Sequence, residues 1–107
     1  MSETDKAQIF NIADLAEYQK NAVVSNQVLR AESGNVTLFA FDEGQELSEH
    51  STSFDALLQM LDGKAEIIIS GKSFHMSAGE TIILPADEPH AVKATTQFKM
   101  LLTMIRA

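Results

Sequence analysis

The stretch GQELSEHSTSFDALLQMLDG, residues 44–63, organises the middle of this chain. It begins and ends with glycine, carries one histidine, His50, and closes on the apolar run ALLQMLDG. The pair Asp62-Gly63 joins that run to KAEIIIS, residues 64–70, which contains three consecutive isoleucines. Because Asp-Gly between two apolar runs favours a tight turn, the stretch predicts two strands joined as a β-hairpin.

On both sides of this stretch, short strand-like segments alternate with turn signals, at Ser33-Gly34, Ser70-Gly71 and Ala78-Gly79. About eight or nine strands at this spacing are typical of an all-β sandwich or barrel. A short helical segment, NIADLAEYQ, precedes them. We therefore predict one all-β domain over residues 1–107, with a barrel core at about 22–106 and a loosely ordered start at 1–10. The expected strands lie at 22–32, 35–43, 56–63 and 64–70, after Gly71, at 81–86, and within HAVKATT and QFKMLLTMIR.

The last of these segments has apolar residues on both faces. Phe98, Met100, Leu102 and Met104 alternate with Lys99, Leu101, Thr103 and Ile105. A strand that is apolar on both sides is usually covered on both sides. We expect the barrel interior on one side and a second subunit on the other, which predicts a homodimer.

Composition excludes several functional classes. The net charge is −7, from 15 acidic and 8 basic residues. A negative field repels phosphate backbones and anionic lipid, so nucleic acid and membrane surfaces are not expected as partners. The absence of cysteine excludes disulfides and thiolate metal sites. The polar start MSETDKAQIF lacks the features of a signal peptide, and we expect a cytoplasmic protein.

The spacing of glycines, histidines and one proline resembles the cupin family. Cupins carry two motifs, G(X)5HXH(X)3,4E(X)6G and G(X)5PXG(X)2H(X)3N. The first overlays on Gly44, His50, Thr52, Ala56 and Gly63, and the second on Gly79, Pro85, Asp87, His90 and Ala94. The resemblance covers the chain from about residue 35 to its end. It implies a double-stranded β-helix, or jelly-roll barrel, like that of small single-domain bacterial cupins.

The resemblance also implies a metal site that has lost half of its ligands. Metal-bearing cupins bind the ion through two histidines and a glutamate of the first motif and one histidine of the second. This chain keeps His50 and His90 but has Thr52 and Ala56 at the other two positions. A divalent metal usually needs at least three protein ligands, so metal binding is weakened. Glu46, which has the same strand parity as His50, is a candidate third ligand. Glu49 is another if the turn is irregular.

The resemblance also implies that the two histidines lie inside the mouth of the barrel, where they would serve a small-molecule pocket. Apolar walls with a few convergent polar groups are typical of such sites. The residues expected to line it are Thr52, Phe54, Met60, Met100 and Met104. His75, which alternates with Phe74 and Met76, is expected to face solvent instead.

Three functions follow from these residues. One is a small-molecule binding protein with at most a weakly held metal. Another is a metal-dependent cupin enzyme, such as a dioxygenase, isomerase or decarboxylase, that uses His50, His90 and a recruited carboxylate. The third is a metal-independent enzyme with a histidine general base, which lacks an obvious tyrosine or lysine acid partner. We favour the first, with a ligand whose identity the sequence does not disclose.

Overall fold

The computed structural model describes residues 5–106 of the chain. Within them lie one 3₁₀ helix, Ile12–Leu15, and nine strands, which confirms the all-β prediction. The sequence segments account for eight of the strands. The ninth lies in the polar stretch ELSEH, which has too little apolar alternation for the sequence to predict a strand there. The strands are β1 (Val23–Ala31), β2 (Gly34–Phe41), β3 (Glu46–His50), β4 (Asp55–Asp62), β5 (Lys64–Ile69), β6 (Lys72–Ser77), β7 (Thr81–Leu84), β8 (His90–Ala94) and β9 (Phe98–Ile105).

The strands form two antiparallel sheets. Sheet A has the order β1-β2-β9-β4-β7, and sheet B has the order β3-β8-β5-β6. Neighbours in the sheets are mostly distant in sequence, as in a jelly roll, where the chain crosses repeatedly between two facing sheets. The predicted jelly-roll barrel is therefore confirmed.

One of the predicted hairpins is wrong. Strands β4 and β5, on either side of Asp62-Gly63, lie in different sheets and do not pair. Gly63 instead marks a corner that packs against the chain just before β9. Its φ is +75°, and a Cβ there would lie 1.9 Å from the carbonyl oxygen of Gln97. The dipeptide signalled a sharp change of direction, but local sequence cannot distinguish a hairpin from a crossover between sheets.

The turn at Ser70-Gly71, in contrast, is a true hairpin between β5 and β6. Both residues have positive φ, +48° and +82°. This matches the two-residue turns whose twist suits antiparallel strands.

The space between the sheets is filled by apolar side chains. At one end, the closed end, the rings of Phe41 and Phe98 stack with centroids 4.4 Å apart, and both are fully buried. Interior residues alternate along each strand, as a half-buried sheet requires. The buried members of this core are Phe41, Ala56, Leu58, Met60, Ala65, Ile67, Ile69, Met76, Leu84, Val92, Ala94, Phe98 and Met100.

The outer face of sheet A is only half covered. A second cluster forms there, in which Ala16, Val28, Leu38 and Ala40 are buried and Leu101 of β9 packs against them. Lys99 Nζ also donates to the Ala13 carbonyl of the N-terminal segment, at 2.6 Å. Thus the outward side of β9 at Leu101 is covered by this chain itself.

A mainly apolar row also crosses that face, and we call it the outer row. Strand register aligns one residue from each of the five strands: Leu29, Val36, Thr103, Leu57 and Ile83. Its two ends are well exposed, Leu29 at 52% and Ile83 at 60%, and the neighbouring Ile105 is 63% exposed. Of these ends, Leu29 borders a cavity of about 270 Å³ that it shares with Lys6, Ala7, Gln8 and Phe10 of the N-terminal segment.

Residues 5–10 contain no helix or strand, and their side chains are exposed. Residues 1–4 lie outside the described part, so the expectation of a loosely ordered start stays a prediction. Within residues 5–106, no helix has the length and apolar character needed to cross a membrane.

Candidate functional site

His50 and His90 lie side by side on neighbouring strands at the end of the barrel opposite the Phe41–Phe98 stack, which we call the mouth. They are direct partners in the register of β3 and β8. Their ring centroids are 4.4 Å apart, and the rings meet edge to face at 67°. His90 is 5% exposed, whereas His50 is exposed. The two imidazoles therefore form one site with a buried and an accessible member.

Each ring is oriented by the backbone carbonyl of the residue two positions before it. His50 Nδ1 lies 2.8 Å from the carbonyl oxygen of Ser48, and His90 Nδ1 lies 3.3 Å from that of Glu88. A carbonyl oxygen only accepts, so Nδ1 carries the proton in both rings. In the neutral rings the Nε2 atoms are then acceptors, and they are the nitrogens left for a ligand.

Burial sets the charge of the inner ring. The pKa of His90 is lowered below its usual value, chiefly because desolvation disfavours the imidazolium. The nearby His50 lowers the His90 pKa further, and the hydrogen bond to the Glu88 carbonyl opposes the shift. At neutral pH, His90 is a neutral hydrogen-bond acceptor.

The loop before β8 holds His90 in place. Asp87 has φ +67° at the motif position where cupins carry glycine, a conformation that Asp tolerates better than most residues. Its N–H donates to the Thr52 carbonyl at 2.7 Å, which ties this loop to the segment after β3. Ser70 N donates to the Pro89 carbonyl at 2.8 Å. The turn thereby links the strands that carry the two histidines.

The residues at the other two motif positions do not fit a divalent metal. The Thr52 hydroxyl is engaged locally, 3.1 Å from the Phe54 carbonyl and 3.3 Å from its N–H. Ala56 is 4% exposed and offers no donor atom. Within residues 5–106, no three His, Cys, Asp or Glu side chains are grouped to hold an ion. The donor set of a divalent site is therefore incomplete.

Glu46 does not lie beside the histidines. A β-bulge falls between Leu47 and His50, and it reverses the parity on which this candidate rested. Glu46 is opposite Lys93 on the outer face of sheet B, while Leu47 packs against the core. Asp55 is also turned away, and its carboxylate accepts from Ala86 N at 2.8 Å.

The predicted pocket residues fall at two depths. Met60 and Met100 are partners across β4 and β9, and both are buried in the core. Thr52, Phe54 and Met104 are half-buried and nearer the mouth. That these five residues line a ligand pocket stays a prediction. The deep burial of Met60 and Met100 argues against a direct contact of these two with a ligand.

His75 is exposed on β6, as the alternation of its neighbours predicts. It borders a groove of about 410 Å³ that is open between the edge strands β6 and β7 and does not include His50 or His90.

Sequence reasoning missed a polar group on the interior side of β2. Asn35 and Thr37 lie on the same face of β2 as the core residues Phe39 and Phe41, and Thr37 Oγ1 donates to Asn35 Oδ1 at 3.2 Å. Asn35 is the register partner of Met104, which in turn pairs with Ala56. Strand parity alone identifies these residues, because they share the parity of Phe41 in an apolar strand.

Comparison with known proteins agrees with this geometry. The family model for the cupin domain (Cupin_2) matches residues 37–106. The chain belongs to the cupin family. A search of curated proteins gives no match.

Several solved structures are similar to this cupin. A conserved protein of unknown function from Streptococcus pyogenes is 30% identical, with a TM-score of 0.91, over 97% of this chain and 91% of that one. A cupin 2 conserved barrel domain protein from Leptotrichia buccalis is 38% identical, with a TM-score of 0.88, over 91% of this chain but 47% of that one. A cupin superfamily protein from Desulfitobacterium hafniense is 25% identical, with a TM-score of 0.90, over 96% and 94%.

Proposed function

We propose that this cupin binds a small molecule in the barrel mouth, at His50 and His90. The observation that carries the proposal is the pair of imidazoles 4.4 Å apart, each with Nδ1 tied to a backbone carbonyl. Two oriented acceptor nitrogens are the kind of convergent polar groups that fix the orientation of a ligand in a small-molecule site.

The chemistry of the pair favours binding over metal-dependent catalysis. Two neutral imidazoles leave the charge of a divalent ion uncompensated, and the described carboxylates do not complete the set. The same two nitrogens suit hydroxyl or N–H donors of an organic ligand. The exposed His50 is positioned to meet the ligand first, and the buried His90 to hold it.

The proposal is tested by NMR on the protein with ¹⁵N-labelled histidine, screened against a library of small organic molecules. Binders should shift the Nε2 signals of His50 and His90. The His50→Ala variant, which alters an exposed side chain, should lose that binding. His75→Ala is the matched control and should bind as the wild type does. Binders that leave both ring signals unchanged, or that bind His50→Ala equally well, would contradict the proposal.

We also propose that the protein acts as a homodimer through the outer row on sheet A. The row runs across all five strands, and its ends are exposed isoleucine and leucine. Exposed apolar patches of this kind often mark association surfaces. A second copy is the natural occupant, because a row that spans the sheet can pair with itself about a two-fold axis.

Light scattering after gel filtration tests the dimer. Ile83→Asp should halve the mass, because it places a carboxylate in an apolar contact. Thr95→Asp, at an exposed position after β8, adds the same charge and should leave the mass unchanged. A wild-type protein that is monomeric at micromolar concentration would overturn the dimer and leave the mouth proposal standing.

A further inference from the structure

Both arginines of this acidic chain lie at the same end of sheet A. The sequence contains 8 basic residues, of which only Arg30 and Arg106 are arginine, and its net charge is −7. Arg30 lies near the end of β1, and Arg106 follows β9 directly. Strand register brings both to the end of sheet A at which β4 begins, five residues after His50.

Arg30 belongs to an inward-facing row. It pairs with Asn35 of β2, which pairs with Met104 of β9, which pairs with Ala56 of β4. Register partners present their side chains on the same face of a sheet. Since Met104 packs against the interior core, Arg30 lies on the interior side of the sheet, although it remains exposed at the edge strand.

Arg106, which directly follows β9, is held over an aromatic ring. Its guanidinium lies 5.0 Å from the ring centroid of Phe54, two residues after Thr52. The backbone N–H of Arg106 donates to the Ser33 carbonyl at 2.8 Å, which fixes the main chain of Arg106 against the β1–β2 turn. A guanidinium stacked on a ring keeps its N–H edge free to bind an anion.

The histidines restrict which other polar groups a ligand that carries this anion can have. With Nδ1 donating to the backbone, each neutral ring offers an acceptor at Nε2, which repels a bare carboxylate or phosphate oxygen but accepts from a hydroxyl. The negative group of a ligand therefore suits the arginines, and a donor group suits the histidines.

We propose that the ligand of this mouth is a small hydroxylated carboxylic acid. Its carboxylate binds Arg106 and Arg30, its apolar body lies near Phe54 and Met104, and its hydroxyl donates to His50 or His90. This inference rests on the proposed binding function and deepens it. The planar guanidinium matches the two oxygens of a carboxylate.

The test uses matched probes in the same histidine-labelled NMR titration. Small aromatic and aliphatic hydroxy acids are each paired with their primary amides, and with phosphate esters of the same body. Carboxylates should bind more tightly than their amides and, in a second sample that carries ¹⁵N-arginine, should also shift the Arg106 Nε–H signal. Arg106→Gln should weaken carboxylates by about tenfold or more, as expected for a lost charged hydrogen bond, and amides hardly at all.

Lys93→Gln is the control, because it makes the same charge change at an exposed position on the outer face of sheet B. It should leave carboxylate affinity nearly unchanged. Thermal unfolding of Arg106→Gln, together with Arg30→Gln, checks that the fold survives. Weaker carboxylate binding at higher ionic strength is a further expected sign.

The outcomes separate this inference from the binding function itself. Amides that bind at the histidines as well as their acids do, with no effect of Arg106→Gln, would overturn the carboxylate and leave the small-molecule site intact. Phosphate esters that bind more tightly than carboxylates would overturn it too. If no probe of any class shifts the histidine signals, the proposed function fails, and the inference fails with it.

Discussion

The two ends of the barrel interior are built from the same strands but do opposite things. At the closed end, Phe41 and Phe98 stack, both fully buried, and apolar side chains fill the space between the sheets. At the mouth, the same alternation places His90 and His50 where apolar residues would otherwise continue. The closed end uses its interior positions for stability, and the mouth gives up part of that stability for polar groups.

This difference predicts that substitutions at the closed end mainly reduce the stability of the fold, whereas substitutions at the mouth mainly affect binding. Side chains at the closed end are surrounded by others at near-crystalline density, so removing one leaves a cavity. Side chains at the mouth are partly solvated and have spare hydrogen-bonding capacity. The following predictions test this division, in descending order of effect.

Removal of a ring should cost most at the closed end. Phe98→Ala should destabilise the protein by about 3–5 kcal/mol, because it removes a fully buried ring and leaves a cavity. Phe54→Ala at the mouth should cost about half of that or less, since Phe54 is only half-buried. Guanidinium unfolding measures both, and equal losses would remove the distinction between the ends.

Restoration of the two missing ligands should turn the mouth into a metal site. The double variant Thr52→His/Ala56→Glu supplies an imidazole and a carboxylate beside His50 and His90. Zn²⁺ at about 100 times its Kd should then stabilise the variant by about 2.7 kcal/mol, whereas the wild type should gain little. Thermal unfolding with and without Zn²⁺ measures the gain.

A control keeps the metal prediction interpretable. Ala56 is buried, so a glutamate there should itself cost about 1–3 kcal/mol through crowding. The single variant Ala56→Glu separates that cost from metal binding. An equal response to Zn²⁺ in the wild type and the double variant would mean that the wild type already holds a complete site.

The corner at Gly63 should be more sensitive than the hairpin at Gly71. Gly63→Ala places a methyl group 1.9 Å from the Gln97 carbonyl oxygen and should cost about 1–3 kcal/mol. Gly71→Ala has a similar positive φ but meets nothing within 4 Å, so it should cost about 1–2 kcal/mol at most. Urea unfolding of the pair isolates the contact from the backbone strain. A larger loss at Gly71 would contradict the crossover geometry.

The mouth should also show a small pH dependence that the closed end lacks. Because the pKa of His90 is lowered in the folded state, the unfolded chain binds the proton first as pH falls. Stability is fully retained above about pH 6.5, the unfolded value, and falls as pH drops from there to the folded pKa. His90→Gln should flatten this part of the stability profile, as measured by urea unfolding between pH 5 and 7. An unchanged slope would show that burial of His90 is not its source.

Much of the fold was predictable from the sequence because its signals are local. Alternation along QFKMLLTMIR located the interior face of β9, and turn residues located the Ser70-Gly71 hairpin. The motif spacing around His50 and His90 indicated the family and brought both rings to one site. Local signals failed at Asp62-Gly63, where the turn leads to the other sheet, and at the β-bulge that turns Glu46 outward.

By itself, the sequence determined the all-β class, the cupin family and the pair of histidines, since these follow from residue type and spacing along the chain. Only the tertiary structure decided what surrounds the pair. The bulge in β3 removes the candidate carboxylate, and register across four strands sets Arg30 in line with Asn35, Met104 and Ala56. These neighbours are distant in sequence, and their contact depends on which strands pair and in which register, information that no single segment carries.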